Sequence, residues 1–283
     1  AGNGKVSCLD PAGKLKWTCE VGASAYGTPA VDGERVYAAD LQGQIHAIDR
    51  STGAKRWSRR ISAYPIEQSM LLHKGTLYVG PWDGQVYAVD TKDGHVKWKS
   101  RSPAAHSESK FANRYYAAAD ASPVVIGDRL FFADRAYHLG AYTLEGDYVG
   151  GIATGVSGIG LSADGKYFYA RALERGVTKY DGKGEKIWEN PLPMGRFPIP
   201  PTEHGGKVYV CSNRGLLSAL DAASGKTLWQ YQATPQLHVM AAVGVDGRGG
   251  PCAAGMDGSI PCVAPAEGGG STGPMPKVSD AGF

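Results

Sequence analysis

The sequence predicts an all-β fold in which small antiparallel sheets repeat along the chain. The motif "AIDRSTGAKRW" (47–57) has an aspartate, then a glycine, then a tryptophan, and it recurs about every forty residues, as in proteins built from repeated units. Between its copies lie short runs of alternating apolar and polar residues bounded by turn residues, which is the pattern of strands. The 40 glycines and 15 tyrosines among 283 residues agree with a β-rich chain that turns often.

Six copies of the motif are recognisable, and the fourth has lost its aspartate and its tryptophan. The tryptophans of the other five follow one another at spacings of 40, 41, 90 and 41 residues, and the interval of 90 holds the degenerate copy and an insertion. The copies span 8–17, 47–57, 88–98, 141–150, 179–188 and 219–229, and the tryptophans are Trp17, Trp57, Trp98, Trp188 and Trp229.

Each repeat contains signals for four strands in a fixed order. A short apolar run such as "GTPAV" (27–31) comes first, and an alternating run such as "RVYAAD" (35–40) comes second. A glycine turn leads to a third strand such as "GQIHAID" (43–49), and a tight turn leads to the tryptophan strand. Four antiparallel strands per forty residues is the plan of a propeller blade, and blades must stack to bury their faces. We therefore predict a β-propeller of four-stranded antiparallel blades.

The chain begins and ends within a blade, because its first signals are for third and fourth strands and its last are for first and second strands. Pairing 4–20 with 240–254 makes one composite blade, which closes a propeller of about six blades and removes two sheet edges. The run "GSIPCVA" (258–264) resembles a further third strand, so seven or eight blades in an intact parent is the alternative. In these third strands Cys8 and Cys262 occupy equivalent places, which fits a shared structural role.

Two regions follow from the composition. Residues 1–264 form the propeller domain, and residues 265–283, rich in glycine, proline and serine, are expected to be a disordered tail.

The conserved plan of the repeat gives its polar and aromatic residues structural roles. The carboxylates of Asp49, Asp90 and Asp221 are expected to accept hydrogen bonds from the amides of the turn before the fourth strand. The tryptophan side chain is expected to pack between neighbouring blades as a large apolar wedge.

The pattern A-h-D-x-x-[ST]-G-x-x-x-W, in which h is apolar, resembles the tryptophan-docking repeat of quinoprotein-like (PQQ-like) β-propellers. The best matches are 47–57, 88–98 and 219–229, and the resemblance covers roughly residues 4–264. The family includes quinone-dependent alcohol and sugar dehydrogenases, propeller modules fused to phosphatases or kinases, and non-enzymatic scaffolds such as the lipoprotein of the outer-membrane assembly machinery. Members of this family mostly work in the periplasm or outside the cell, so the resemblance implies a periplasmic or extracellular protein.

The dehydrogenases of that family share an adjacent-cysteine disulfide, a bound calcium ion and a catalytic aspartate. This sequence has five cysteines, none of them adjacent, and no evident calcium-binding constellation. We therefore predict no catalytic residue, no metal site and no cofactor, and a binding or scaffold module as the function. A dehydrogenase that uses PQQ and Ca2+ is the first alternative, and a polysaccharide lyase or hydrolase acting at the channel mouth is the second.

The charge and hydropathy exclude two classes of partner. A net charge of +3 with interspersed acids and bases, and no block of lysine and arginine, argues against nucleic acid. No run of 18 apolar residues is present, so no transmembrane helix is predicted.

The loops that link successive blades vary most, and they are expected to gather at one mouth of the central channel. We predict that they form a polar and aromatic rim that binds a protein or carbohydrate ligand; for the aromatic members, sealing blade junctions is the alternative. The rim residues are Tyr64, Glu67, His106, Arg114, Tyr115, Arg196, Phe197 and His238.

Overall fold

The computed structural model describes residues 2–107, 122–173, 175–195, 199–233, 242–255 and 258–263. The tail over 265–283 lies outside this part of the chain. Among the described residues, one short 3-10 helix, Pro103–His106, accompanies 24 strands. The strands are β1 (Lys5–Leu9), β2 (Leu15–Glu20), β3 (Ala30–Val31), β4 (Arg35–Ala39), β5 (Gln44–Asp49), β6 (Lys55–Arg60), β7 (Leu71–His73), β8 (Thr76–Val79), β9 (Gln85–Asp90), β10 (Val96–Arg101), β11 (Val124–Ile126), β12 (Arg129–Ala133), β13 (His138–Thr143), β14 (Tyr148–Thr154), β15 (Val156–Leu161), β16 (Tyr167–Ala172), β17 (Gly176–Asp181), β18 (Lys186–Asn190), β19 (Thr202–His204), β20 (Lys207–Cys211), β21 (Leu216–Asp221), β22 (Thr227–Gln232), β23 (Gly244–Val245) and β24 (Pro251–Cys252).

The described part of the chain contains five four-stranded antiparallel sheets, and in each the strands pair in chain order. We number them as blades: blade 1 is β3–β6, blade 2 is β7–β10, blade 3 is β11–β14, blade 4 is β15–β18 and blade 5 is β19–β22. The all-β prediction and the four-stranded antiparallel unit are confirmed.

Apolar side chains lie between successive sheets, as expected for blades that cannot bury their faces alone. One cluster joins Tyr37 and Ile45 of blade 1 to Leu77 of blade 2, and another joins Phe131 of blade 3 to Phe168 of blade 4. The second and third strands carry most of these residues. They are buried on both faces, whereas the fourth strands are largely exposed.

The two terminal pairs of strands do not join in one composite blade among the described residues. β1 pairs with β2 and β23 pairs with β24, in separate sheets. The place beside β24 is taken by the segment around Cys262, since Ala253 N donates to Pro261 O (3.0 Å) and Val263 N donates to Pro251 O (2.9 Å). The run that resembles a further third strand therefore fills the position that closure would have given to β1.

Four tryptophans dock on the next repeat along the chain through the same hydrogen bond. The indole Nε1 of Trp17 donates to Arg50 O (2.9 Å), and that of Trp57 donates to Thr91 O (3.1 Å). Trp98 and Trp188 make the equivalent bonds to Leu144 O (2.8 Å) and Ala222 O (3.2 Å). In blades 1, 2, 4 and 5 the tryptophan of the fourth strand packs on a tyrosine of the second strand, with ring centroids 5.7–6.1 Å apart; the pairs are Tyr37–Trp57, Tyr78–Trp98, Tyr169–Trp188 and Tyr209–Trp229.

The glycine of the motif makes room for the tryptophan of the preceding repeat. A Cβ added to Gly53 would lie 2.8 Å from the Trp17 ring, and one added to Gly225 would lie 2.5 Å from the Trp188 ring. Both glycines also have a positive φ, 76° and 73°, so the turn requires glycine for two separate reasons.

The motif aspartates close the turn before the fourth strand. The Asp49 carboxylate accepts hydrogen bonds from the backbone amides of Ser51 (3.0 Å) and Thr52 (2.9 Å) and from both hydroxyls. Asp90 accepts from the amide of Lys92 (2.8 Å), and Asp221 accepts from the amide of Ser224 (2.7 Å).

Two of the five cysteines form a disulfide, and Cys8 and Cys262, which occupy equivalent places, differ in their bonding. Cys252 is bonded to Cys262, whereas Cys8, Cys19 and Cys211 are free thiols. The shared role expected for Cys8 and Cys262 is therefore wrong in this structure, because the disulfide partner Cys252 lies on β24 and not beside β1.

Candidate functional site

The loops that link blades and the turns between second and third strands lie together at one end of the sheets, which we call the loop face. Ile61 N donates to Gly43 O (2.9 Å), which ties the loop after blade 1 to a turn of that blade. Trp82 N donates to Pro65 O (3.0 Å), which ties the same loop to blade 2. The docked tryptophans and motif turns mark the opposite end, the turn face.

The structure places three of the predicted rim residues. Tyr64 and Glu67 lie in the loop between β6 and β7; Tyr64 is half exposed and Glu67 is partly buried. His106 ends the 3-10 helix that follows β10. The other five lie outside the described residues: Arg114, Tyr115, Arg196, Phe197 and His238.

A cavity of about 580 Å³ opens on the loop face beside blade 3, and we call it the His106 groove. The loop after blade 2 supplies His106, β13 and β14 supply His138 and Tyr148, and the turn between β16 and β17 supplies Arg175. Neither Tyr64 nor Glu67 lines it. The remaining lining residues are Pro103, Ser107, Leu139, Gly151, Ile152, Ala153 and Thr154.

The imidazole of His106 stacks on the Tyr148 ring with centroids 3.8 Å apart and planes 5° from parallel. Glycines beneath this pair make the space, since a Cβ on Gly140 would lie 3.0 Å from both Pro103 and the Tyr148 ring. Burial lowers the pKa of His106, although a hydrogen bond involving Arg101 opposes the change. Burial, together with the nearby carboxylate of Asp134, raises the pKa of Tyr148. Both shifts favour the uncharged forms of the two stacked rings.

Asp134 lies beneath the groove and is almost fully buried. Its carboxylate accepts hydrogen bonds from the backbone amides of Ala104 (2.6 Å), Ala136 (3.0 Å) and His138 (3.0 Å). Burial raises the pKa of this carboxyl, although the amides of His138 and Ala104 oppose the change. Asp134 thus ties the 3-10 helix to the turn after β12.

That turn also carries an aromatic and a cationic side chain on the loop face. The guanidinium of Arg135 lies 4.5 Å from the centroid of the Trp82 ring, in a cation–π contact between blades 2 and 3. Both side chains are partly exposed.

Tyr137 follows in the same turn with φ = 64°, a conformation that favours glycine. The register of the strands places it where the other blades have Gly43, Gly84 and Gly215. Strain of this kind is found preferentially at functional sites, where a side chain is needed despite its cost.

Sequence reasoning missed most of this site. His138, Tyr148, Arg175 and Arg135 lie outside the long linking loops, in strands and short turns of the regular repeat. Two signals were nevertheless present: Tyr137 replaces a glycine of the repeat, and Trp82 is the one tryptophan outside the motif.

The described part of the chain also has two smaller cavities, one beside Arg35 and Asp49 and one beside His73 and Trp98. No helix in it is long and apolar enough to span a membrane. Within the same residues, no three His, Cys, Asp or Glu side chains are grouped so as to hold a metal ion.

A protein-family model described as outer membrane protein assembly factor BamB matches residues 1–148 and 149–255. The chain belongs to the BamB family. A curated relative, the BamB of Nitrosomonas eutropha, is 33% identical over 100 residues. That match covers 35% of this chain and 24% of the relative, so it spans about a quarter of the relative's length.

Two solved structures share the propeller fold of this BamB-family chain. BamB from Moraxella catarrhalis superposes with a TM-score of 0.65 at 17% identity, covering 92% of this chain and 82% of that one. The computationally designed Ika8 protein superposes with a TM-score of 0.73 at 14% identity, covering 93% and 78%. At such identities the likeness concerns the fold alone.

Proposed function

We propose that this chain is a non-enzymatic scaffold that binds a protein partner, through its loop face, in the assembly of outer-membrane proteins. The family carries the general role, since its model is described as an assembly factor. The placement of the binding surface on the loop face rests on Trp82, Arg135 and the strained Tyr137, which lie on that face. Tryptophan, tyrosine and arginine are the residues that most often dominate binding energy at protein interfaces.

The His106 groove, which opens beside these residues, also supports the loop face as the binding surface. Its volume is in the range of pockets that bind side chains and small ligands. Stacked aromatic side chains resist rearrangement, so His106 and Tyr148 offer a partner a preformed surface.

The test is capture of outer-membrane assembly proteins from detergent-solubilised outer membranes by the immobilised chain. We expect W82A with R135A to lower their recovery about tenfold or more, because interface anchors of these types have effects of this size. A matched control is L228A with K183A, which removes one exposed apolar and one exposed cationic side chain away from the loop face.

Two measurements keep that test interpretable. Melting curves check that both double variants are folded, and R135E alone changes the charge without removing the indole. Equal recovery by the two double variants would refute the loop-face location. Binding of oligosaccharides on a glycan array, with no assembly protein recovered by the wild type, would refute a protein partner.

We also propose that the chain works in the periplasm, in line with the family. A disulfide between Cys252 and Cys262 supports an oxidising compartment, since such bonds rarely persist in the cytosol. Alkylation of the unfolded, unreduced protein should label three cysteines, Cys8, Cys19 and Cys211. Labelling of all five in protein exported to the periplasm would contradict this.

A further inference from the structure

The lining of the His106 groove combines one cationic side chain, Arg175, with aromatic rings. It contains two histidines and one arginine, and among its described lining residues there is no aspartate or glutamate. The nearby acid, Asp134, is 1% exposed and its oxygens are already occupied by backbone amides. A ligand in the groove therefore meets positive charge without a competing exposed carboxylate.

Arg175 is the permanent charge of the groove. Its side chain is exposed, and it forms no ion pair with any residue that the structure describes. A guanidinium presents a planar fork of N–H donors that matches the two oxygens of a carboxylate. Forming such a pair here would not require breaking an ion pair seen in the structure.

His138 is held in one orientation. Its Nδ1 lies 2.9 Å from Ala136 O, and because a carbonyl oxygen can only accept, Nδ1 carries the proton. In the neutral ring Nε2 is then an acceptor, suited to a peptide N–H. The groove thus offers donors for a carboxylate and an acceptor for a backbone amide.

The stacked pair of His106 and Tyr148 adds an apolar surface to these polar groups. The volume of about 580 Å³ admits a short stretch of extended peptide rather than a folded domain.

We propose that the His106 groove binds an acidic peptide segment of the partner, with a glutamate or aspartate carboxylate on Arg175 and an adjacent apolar side chain on the His106–Tyr148 stack. The inference rests on the proposed function, because it names the chemistry that the loop face recognises.

The experiment uses two fluorescein-labelled peptides, Gly-Ser-Glu-Phe-Ser-Gly and its matched version with glutamine in place of glutamate. Fluorescence anisotropy measures their affinities for the full chain. We expect the glutamate peptide to bind about tenfold more tightly, as for one bidentate charge-assisted contact. R175A should abolish the preference, and R175E should reverse it.

R214A is the control variant, since Arg214 is an exposed arginine in the corresponding turn of blade 5. It should keep the preference. H106A should weaken the binding of both peptides equally, and the preference for the glutamate peptide should remain. Equal affinity of the two peptides for the wild type, or a preference that survives R175A, would overturn the inference.

Capture of assembly proteins separates this inference from the function on which it depends. If W82A with R135A loses the partner while R175E retains it, the loop-face function stands and the acidic segment is refuted. If all three substitutions leave capture unchanged, the proposed function itself fails.

Discussion

Blade 1 keeps every residue of the repeated motif, whereas blade 3 has lost both its aspartate and its tryptophan. In blade 1, Asp49 closes the turn and Trp57 docks on blade 2. In blade 3, Thr143 and Gly150 stand at these places, as the pairing of Ala47 with Trp57 and of Ala141 with Gly150 shows. The docking position is served by Ile152, which faces Gly184 of blade 4.

The two blades also differ in the irregularity of their outer strands. The β13–β14 pair has two register shifts, against one in the β5–β6 pair. The His106 groove lies against these strands, and the small residues Gly140 and Gly151 make room for its aromatic stack. Blades with the full motif thus supply junctions docked by tryptophan, and the degenerate blade supplies one wall of the His106 groove.

The largest effect should come from removing a docked tryptophan. W57A loses a large contact and the hydrogen bond to Thr91 O, and we expect about 3 kcal/mol of destabilisation. I152A, at the junction of blades 3 and 4, should reduce the stability by about 2 kcal/mol, because Ile152 is smaller than tryptophan and only partly buried. Urea denaturation of both variants measures the difference. Equal losses would show that the two junctions do not differ as their side chains suggest.

A methyl group at the motif glycine should have the next largest effect. G53A forces a side chain into φ = 76° and against the rigid Trp17 ring, which we expect to cost about 2 kcal/mol. G184A has a similar φ of 86°, but it meets the flexible end of Ile152. We expect about 1 kcal/mol there, from the backbone alone. Thermal melts compare the two, and a larger loss for G184A would contradict the docking explanation.

Replacing the strained tyrosine should stabilise the fold and weaken binding. Y137G places glycine at φ = 64°, and we expect a gain of about 1 kcal/mol together with weaker capture of the partner. K74G is the matched control, since Lys74 also has a positive φ, 45°, but lies in a turn of blade 2 at the turn face. It should gain stability and leave capture unchanged. Loss of capture by both variants would mean that the weaker binding does not come from the Tyr137 side chain.

The smallest effect should be a change in acid stability. The hydroxyl of Ser51 and the guanidinium of Arg56, with the turn amides, hold the pKa of Asp49 well below its usual range. A carboxyl whose pKa is lowered on folding stabilises the native state above its unfolded pKa of about 3.9, and this contribution is lost as the pH falls further.

D49N should therefore flatten the fall in stability below pH 4, with urea midpoints measured from pH 6 to pH 2. K183A, an exposed substitution that removes no carboxyl group, is the control and should leave the shape of the profile unchanged. An unchanged profile for D49N would mean that the turn hydrogen bonds do not favour the ionised form.

The fold could be read from the sequence because each blade is a local unit. The four strands of a blade are consecutive, so the alternation of residues and the spacing of turns predict them without knowledge of distant contacts. The composite closure was not predictable in the same way, since it depends on which segment, β1 or the one around Cys262, pairs with β24.

The candidate site was predicted only in part, because distant segments build it. His106 belongs to a long variable loop and stands out on that ground. Its partner Tyr148 begins the strand β14, more than forty residues later in the chain. The same holds for a buried pair in blade 1, where His46 Nε2 lies 3.0 Å from Asp40 Oδ2. The alternating pattern of β5 does not predict this contact.

The sequence by itself determined the repeat, the four-stranded blade and the tryptophans of the junctions, because hydrophobic alternation, turn chemistry and the demand for glycine act over a few residues. Only the tertiary structure decided which side chains share the His106 groove and which segment borders β24. Those outcomes depend on how whole blades stack and on contacts between residues far apart in the chain.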